Sequence, residues 1–342
     1  MKPTTIAVDL AKSVFEIAVS DRPGRIRERH RLSRARFVRF FAQRPPALVL
    51  LEACGSAHHW ARELTALGHR VVLLPPHLTV PYVARDKTDR SDAKALLEAF
   101  RNEDIHPVPI KTVGQQALAS LHRLRSTWLT TRTARLNTLR GLLREFGLFI
   151  PVGAHHVLPQ LASLLEDPDS PLPHGLRPAL AEAAREIREL ELRMRSLERD
   201  LHRLAADDPT VMHLYSIPGI GWLSATALVA FVGDMHRFPS GRHFASYLGL
   251  TARVHASGSR RSLGAISKRG DVYLRMLLIH GARALLNSPP KSGAPDALRA
   301  WALRIQQRRG HNRATVALAN KLARIVWAVW THNTDFHQPH AA

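Results

Sequence analysis

The order of apolar segments in the first hundred residues constrains the fold more than any other feature of this sequence. The segments TTIAVDL and VFEIAVS are rich in β-branched and other apolar residues, and the short turn AKS separates them. They predict two consecutive strands. The basic segment RIRERHRL alternates in the same way and predicts a third strand. The three segments together predict a meander.

The following segments alternate between strand and helix patterns. The run ALVLLEA is continuously apolar, as is typical of a buried central strand. A helical pattern then ends at Gly68, HRVVLLPP predicts another buried strand, and TDRSDAKALLEAFRN predicts a helix. A meander followed by βαβ units predicts a mixed sheet flanked by helices. This order of elements is that of the ribonuclease-H-like fold, so we expect an α/β N-terminal domain.

Four carboxylates lie at the ends of these elements. Asp9 ends the first strand, Glu52 ends the central strand, and Asp89 and Asp92 begin a helix. The first and fourth strands are neighbours in a ribonuclease-H-like sheet, so Asp9 and Glu52 are expected to converge. Such carboxylates can hold two divalent cations about 4 Å apart, as phosphoryl transfer requires. The alternative makes Asp89 a helix N-cap and Asp92 a first-turn charge, but it leaves the strand carboxylates unexplained.

The charge of the chain indicates a polyanionic partner. The sequence contains 49 Lys and Arg against 28 Asp and Glu, a net charge of +21. Residues 241–342 hold 16 of the basic and 3 of the acidic residues. We therefore expect this part to bind the phosphates of a nucleic acid. The alternative is a basic face that only contacts solvent. No apolar run approaches the roughly 18 residues of a membrane span. The single cysteine, Cys54, excludes disulfide scaffolds and cysteine-ligated zinc sites.

The middle of the chain is predicted to be helical. Residues 112–146 are basic and helical, and residues 151–178 are rich in Pro, Gly and Asp and predict a linker. Apolar residues then recur at steps of three and four, which predicts a coiled-coil helix. We expect this seam to pair with a second copy of the chain, and packing inside one chain is the alternative. The seam comprises Leu180, Ala183, Ile187, Leu190, Met194, Leu197, Leu201 and Leu204.

The segment SIPGIGWLSATALVAFVG predicts a helix-hairpin-helix. Gly219 and Gly221 would let the backbone approach a phosphate, and the second helix would offer its N-terminal N–H groups. Two helices packed about a glycine turn are the alternative. A basic Ser/Gly-rich loop follows, and two further helices are predicted in the remaining mostly α-helical C-terminal part.

Several of these segments resemble a family of insertion-sequence transposases. VDLAKSVFEIAV, LEACGSAHHWARELTALGHRV and KTDRSDAKAL resemble its N-terminal DEDD domain, which is similar to the RuvC junction resolvases. SIPGIGWLSATALVAFVGDMHRF, ASYLGLTARVHASG and ISKRGDVYLRMLLIHGARAL resemble its C-terminal transposase domain. The resemblance covers residues 4–290 in the expected order.

The resemblance implies a DNA recombinase guided by a non-coding bridge RNA that pairs with target and donor DNA. Its metal tetrad falls on Asp9, Glu52, Asp89 and Asp92, with Mg²⁺ as the implied cofactor and Mn²⁺ as the alternative. The resemblance further implies that a serine of the C-terminal domain attacks a DNA phosphate and forms a covalent phosphoserine intermediate. The two halves of the active site come from different protomers, so a homo-oligomer is implied, a dimer that assembles into a tetramer.

The serine falls on Ser257 in HASGSRRS. From the sequence alone, Ser257 is one of several serines in a basic loop, and an ordinary turn serine is the alternative. A hydroxyl needs a base or a metal for activation, and no such group stands at a diagnostic spacing. The basic residues expected to hold nucleic-acid phosphates are Arg253, Arg260, Arg261, Lys268 and Arg269.

These observations predict four segments and one leading function. Residues 1–110 form the RuvC-like domain, 111–150 a basic helical extension, 151–206 the linker and coiled-coil helix, and 207–342 the transposase domain. The leading function is an RNA-guided, metal-dependent DNA transposase. One alternative is a junction-resolving endonuclease that uses metal-activated water. The other is a non-catalytic nucleic-acid-binding protein with structural carboxylates.

Overall fold

The computed structural model describes residues 4–22, 25–83, 89–258, 260–288 and 297–337, leaving out the side chains of Asp89 and Arg90. The chain divides into two compact units at the boundary between Thr112 and Val113. The first unit is a mixed α/β structure and the second is mostly helical, as the sequence predicts. None of the described helices is long and apolar enough to cross a membrane.

The first unit is built around a five-stranded sheet in the order β3-β2-β1-β4-β5. The meander β1-β2-β3 is antiparallel, whereas β1 pairs with β4, and β4 with β5, in parallel. The predicted adjacency of the first and fourth strands is therefore confirmed. The elements are β1 Thr5–Leu10, β2 Val14–Arg22, β3 Arg25–Ser33, α1 Arg34–Ala42, β4 Leu48–Glu52, α2 Ala57–Ala66, β5 Arg70–Leu74, α3 Pro76–Thr79 and α4 Asp89–Ala99.

Each face of this sheet is covered by its own helices, because alternate strand residues point to opposite faces. On one face, Ile6 and Val8 belong to a buried cluster with Phe37 of α1 and Trp60 of α2. On the other face, Ala7 belongs to a separate cluster with Leu50 of β4 and with Leu96 and Ala99 of α4. Position 9 therefore lies on the face that α4 covers.

The second unit contains the longest helices and a two-stranded ribbon. Helices α5 and α7 pack along each other, and α13 packs against α8, α10, α11 and α12. The elements are α5 Val113–Arg144, α6 Val157–Glu166, α7 Arg177–Ala205, α8 Pro209–Tyr215, α9 Trp222–Val232, α10 Gly241–Tyr247, β6 Ala252–Ser257, β7 Arg260–Ile266, α11 Val272–Asn287, α12 Ala297–Arg309 and α13 His311–His332.

The heptad seam of α7 is occupied within the chain, so the expectation that it pairs with a second copy is wrong. Seven of its eight residues are buried or half-buried, and only Leu204 is exposed. The partner is α5, which the sequence analysis did not consider as a close neighbour. Ion pairs mark an antiparallel alignment: Arg125 with Glu198 at 2.6 Å, Arg132 with Glu191, and Arg135 with Glu186 at 2.9 Å.

The predicted linker is also a folded segment. Residues 157–166 form α6, and Val157, Leu161 and Leu172 are buried in a cluster with residues of α5 and α7. The Arg177 guanidinium donates hydrogen bonds to backbone carbonyls of this segment, including those of Leu165 at 3.1 Å and Asp167 at 2.9 Å. The proline and glycine residues here therefore belong to a folded connection between packed helices, and the segment is not a flexible linker.

Candidate functional site

Two carboxylates converge at one end of the central strands. The parallel pairing of β1 and β4 aligns Val8 with Leu51, so the next positions, Asp9 and Glu52, lie side by side. Both side chains are half-buried. Because strand residues alternate, Asp9 shares its face with Ala7, and Glu52 shares its face with Leu50. Both carboxylates therefore lie on the face that α4 covers.

The first turns of α4 add a third carboxylate to this face. Helix α4 packs against β1, β2 and β4. Asp92 lies one turn before Leu96, which is buried in the same cluster as Ala7 and Leu50. The Oδ1 atom of Asp92 is buried, and no hydrogen-bond partner for it is present among the described residues. Asp89 is the first residue of α4, and its side chain lies outside the described residues.

The charges of both strand carboxylates act on the thiol of Cys54. Burial raises the pKa of this thiol, and the charges of Glu52 and Asp9 raise it further. Cys54 follows directly after β4, at the same end of the sheet as both acids. Two negative charges acting on one thiol agree with the convergence that the strand register indicates.

The chemistry of this corner suits a hard divalent cation. Carboxylate oxygens are the ligands that Mg²⁺ and Mn²⁺ prefer. A buried carboxylate oxygen without a donor is costly unless a cation or a proton satisfies it, and Asp92 Oδ1 is such an atom. Within the described side chains, which exclude Asp89, no three His, Cys, Asp or Glu are already grouped closely enough to form a metal cage. The carboxylate ligand types and the unpartnered Asp92 oxygen fit a hard divalent cation.

A further carboxylate, Glu16, was missed by the sequence analysis. Antiparallel pairing of β1 with β2 sets Glu16 directly opposite Asp9. The pairing of β2 with β3 then sets Arg31 opposite Glu16, and Arg31 Nε lies 3.3 Å from Glu16 Oε1. A row of Asp9, Glu16 and Arg31 therefore crosses three strands on one face. The signal was present in VFEIAV, where Glu16 interrupts the apolar alternation beside a short turn.

Ser257 lies at the end of an exposed β-ribbon. The segment predicted as a loop forms β6 and β7, and almost every residue of both strands is exposed. Ser257 pairs with Arg260 in the last register position before the turn, where Gly258 has a φ of +55°. Within the described residues, no hydrogen bond involves the Ser257 hydroxyl. A cavity of about 750 Å³ at this end is lined by Ser257, His255, Arg260 and Arg261.

The His255 imidazole lies close to Gly264 of the neighbouring strand. Its ring atoms Nε2 and Cδ2 lie 3.6 and 3.7 Å from the position that a Cβ on Gly264 would occupy. Gly264 lies in the middle of β7, farther from the turn than Ser257. The imidazole therefore packs over the opposite strand of the ribbon.

The basic residues predicted to bind phosphates occupy different settings. Arg260 and Arg261 are exposed on β7 near Ser257. Arg253 is also exposed and donates a hydrogen bond to the Ser267 carbonyl at 3.3 Å. Lys268 has a left-handed backbone with φ +55°, and the Arg269 carbonyl accepts a hydrogen bond from Arg275 at 3.0 Å. These five residues lie on or beside the ribbon base and turn.

Gly219 lies where the hairpin turn packs against α11, and its role in phosphate binding stays a prediction. Its φ is +87°, and its carbonyl oxygen lies 2.0 Å from where a Cβ on Gly281 of α11 would be placed. The backbones of the turn and of α11 thus approach each other where both residues lack a side chain. Gly221 differs, because it is exposed and a Cβ there would meet open space. The role of Gly221 in phosphate binding stays a prediction.

Comparison with known proteins agrees with this arrangement. A family model described as Transposase IS116/IS110/IS902 family matches residues 212–295, and a DEDD transposase model for IS110 elements matches residues 6–147. A probable family 20 transposase of Pseudomonas aeruginosa is 44% identical over 98% of this chain and 99% of its own length. The chain belongs to the IS110/IS116 family of insertion-sequence transposases.

Two other relatives of this transposase carry insertion-sequence names. The transposase for IS1111A of Coxiella burnetii is 37% identical over 97% of this chain and 90% of its own length. The transposase for IS1328 of Yersinia enterocolitica is 36% identical over 97% of this chain and 98% of its own length. The DEDD domain fits a ribonuclease-H-like fold and implies use of a divalent metal, and the family implies DNA binding and DNA processing.

Proposed function

We propose that this transposase cleaves and exchanges DNA strands in a metal-dependent reaction. The metal ligands in this proposal are Asp9, Glu52, Asp89 and Asp92, with Mg²⁺ as the leading ion and Mn²⁺ as the alternative. One observation carries the proposal. Asp9, Glu52 and Asp92, which are distant in sequence, lie on one face of the sheet, and Asp92 Oδ1 is buried without a partner among the described residues.

Bound divalent cations would supply charge stabilisation for the attacking and leaving oxygens of a phosphodiester. The protein's own contribution is to hold acceptor oxygens at fixed positions. Strand β1 fixes Asp9, strand β4 fixes Glu52, and the packing of α4 against the sheet fixes Asp92. Arg31, beside Glu16, lies on the same face and adds a cation that can orient a DNA phosphate.

The proposed nucleophile is Ser257. Its Oγ forms a bond to a DNA phosphorus atom while one bridging P–O bond of the backbone breaks. The released sugar oxygen leaves as a hydroxyl, and the proton that balances it comes from the serine hydroxyl. Strand exchange reverses this step with a different sugar hydroxyl. The exposure of Ser257 at the ribbon end supports the proposal, because a DNA phosphate can reach it.

The proposed guide is a bridge RNA, and the proposed assembly is a homo-oligomer in which different protomers supply Ser257 and the carboxylates. The basic surface of residues 241–342 supports nucleic-acid binding in general. Sequencing the RNA that co-purifies with the transposase tests the guide. Recovery of one element-encoded RNA is the expected result, and recovery of unselected cellular RNA contradicts it.

The phosphoserine intermediate is tested by trapping a denaturant-resistant adduct between the transposase and end-labelled element DNA. Peptide mapping should locate the adduct at Ser257. Ser257→Ala should reduce the adduct to background, whereas Ser262→Ala, an exposed serine of the same ribbon, should leave its yield unchanged. An adduct that maps elsewhere, or that survives Ser257→Ala, excludes Ser257 as the nucleophile.

A junction-resolving endonuclease that uses metal-activated water is the second candidate. The observation that favours it is the setting of Ser257, whose hydroxyl makes no hydrogen bond within the described residues. The same Ser257→Ala variant separates the two functions. Cleavage of branched DNA that Ser257→Ala leaves nearly intact supports the endonuclease, whereas loss of strand exchange and of cleavage supports the serine mechanism.

A further inference from the structure

A basic groove runs along one face of α13, a helix outside the residues that either family model matches. One wall is the ribbon, which contributes Leu263 and Ile266, and the other is formed by α12 and α13. The enclosed volume is about 1180 Å³. Three cations of α13 line it: Arg313, Lys321 and Arg324. The family models end at residue 295, before α12 begins.

The groove continues beyond the ribbon. A second cavity of about 500 Å³ shares Lys321 and Arg324 and adds Arg242 of α10. Together the two cavities follow α13 from Asn312 to Ala328. At 1.5 Å per helical residue, this is a length of about 24 Å. An extended chain is therefore a better occupant than a small molecule.

The positive charge in this groove is not compensated by the described protein. No Asp or Glu is among its lining residues, and none of the described ion pairs includes Arg313, Lys321 or Arg324. The only carboxylate between residues 297 and 337 is Asp335, which pairs with His213 at 2.8 Å. Burial lowers the pKa of Lys321, and the charges of Arg324 and Arg304 lower it further. An anion in the groove would relieve this repulsion.

Apolar side chains lie between these cations. The Lys321 ammonium lies 4.2 Å from the ring centroid of Trp301, and Val316 and Ala317 line the same wall. Leu263 is 68% exposed on the facing ribbon, although it is a large apolar residue. A groove that alternates cations with apolar surface matches a ligand that has both phosphates and unstacked bases. A duplex would offer mainly phosphate and sugar to this surface.

We infer that the groove between the ribbon and α12–α13 binds a single strand of nucleic acid. The phosphates contact Arg313, Lys321 and Arg324, and the bases contact the apolar wall. This inference rests on the proposed function in one respect, namely that the transposase handles nucleic acid with unpaired segments. It assigns a role to α12 and α13, for which no sequence motif predicts a function.

The test compares two double variants of the full-length transposase with matched chemistry. The groove variant is Lys321→Met with Arg324→Gln, in which methionine keeps an apolar chain over Trp301. The control is Arg195→Met with Arg199→Gln, which removes the same charge from exposed residues of α7 that have no described ion pair. Binding of a labelled single-stranded DNA, an RNA of the same sequence and the DNA duplex is titrated by anisotropy in EDTA at several salt concentrations.

The groove variant should bind a single strand about 20-fold more weakly at 0.1 M salt, and its slope of log K against log salt should fall by about 1.4, because each single-strand phosphate contact contributes about 0.7. The control should match the natural protein. A loss on the RNA or the DNA alone also supports the groove and identifies its strand. An equal loss in the control, a loss on the duplex as large as that on the single strand, or an unchanged affinity overturns the inference.

Two further measurements keep the outcome interpretable. Thermal unfolding identifies a variant that fails to fold. In that case the single variant Arg324→Gln, at an exposed position, is used instead. Its slope of log K against log salt should change by about half as much as that of the double variant. Photo-crosslinking of a 4-thiouridine RNA, or of a 4-thiothymidine DNA, should label peptides of residues 297–328. Crosslinks confined to other peptides overturn the inference. Because EDTA prevents metal-dependent cleavage, this result is independent of the adduct experiment on Ser257.

Discussion

The two units present their proposed reactive groups in opposite ways. In the first unit, Asp9, Glu52 and Asp92 are half-buried and held by a central sheet and a packed helix. In the second unit, Ser257 stands on a ribbon of two strands whose faces are exposed to solvent. An isolated two-stranded ribbon is only marginally stable in water. The exposed faces of the ribbon therefore contribute little burial to its stability.

This difference has a chemical reason. A divalent cation needs several oxygens at fixed positions, and neighbouring strands with a packed helix provide such positions. A nucleophile that attacks a DNA phosphate, as proposed for Ser257, must instead be open to the DNA backbone. The contrast predicts that the carboxylates are intolerant of any change.

The largest expected effect concerns the carboxylate face. Asp9→Asn together with Glu52→Gln should lower strand exchange by at least about 10³-fold, because a lost metal contributes several kcal/mol of transition-state stabilisation. Recombination of a donor and a target plasmid measures this loss. Circular dichroism should show an unchanged fold, since the amides keep the shape of the acids. Exchange at the parental rate would show that the carboxylates are structural and would favour a non-catalytic role.

A smaller effect tests the packing of the hairpin turn against α11 in the second unit. Gly281→Ala would place a Cβ 2.0 Å from the Gly219 carbonyl oxygen, so the hairpin turn or α11 has to move. We expect a loss of about 3 kcal/mol in the free energy of unfolding, at the upper end for overpacking. Denaturant titration followed by tryptophan fluorescence reports on this unit, which holds five of the six tryptophans.

Gly221→Ala is the matched control for this variant, because a Cβ at Gly221 meets nothing within 4 Å. It should change stability by less than about 0.5 kcal/mol, as surface substitutions usually do. A similar loss of unfolding free energy in both variants would show that the turn tolerates no added side chain. The loss in Gly281→Ala could then not be attributed to the contact between Gly219 and Gly281.

The smallest effect concerns a buried histidine in the same unit. His122 of α5 is fully buried, with Nε2 3.0 Å from the Thr226 hydroxyl and Nδ1 3.0 Å from the Tyr273 hydroxyl. The Thr226 hydroxyl donates to the Trp222 carbonyl at 2.7 Å, so it accepts from Nε2–H, and Nδ1 accepts from Tyr273. A charged imidazole does not suit this site. Burial, followed by the charge of Arg125, lowers the pKa of His122 to about 4.

Stability should therefore fall as the pH falls. Below the unfolded pKa of about 6.5, the unfolded chain binds a proton at His122 that the folded chain does not bind until the pH approaches its own pKa. This histidine alone should remove about 2 kcal/mol between pH 7 and pH 5. In His122→Gln, which keeps one donor and one acceptor, the free energy of unfolding measured against pH should fall by about 2 kcal/mol less over this range. Parallel curves for the natural protein and the variant would contradict this assignment.

Local patterns in the sequence were sufficient for the elements and for part of the site. The alternation around residues 4–20 and the apolar run of β4 predicted the strands, and their order predicted that Asp9 and Glu52 would be neighbours. Glu16 was missed because strand register, which sets it opposite Asp9, depends on the turn geometry. The ribbon was read as a loop because its exposed strands carry no apolar face that alternation can reveal.

The sequence could not predict which element packs against each apolar surface. The heptad pattern of α7 defined a seam but not the chain that fills it, and only the tertiary structure showed that α5 does so. In the same way, the glycines at 219 and 221 look equivalent in sequence, but Gly219 is needed where the backbone meets α11. Periodicity records which face of an element avoids water, whereas the choice of neighbour is made by packing among residues far apart in the chain. The sequence by itself thus determined the elements and the chemistry available to them, and the tertiary structure decided which of those groups meet.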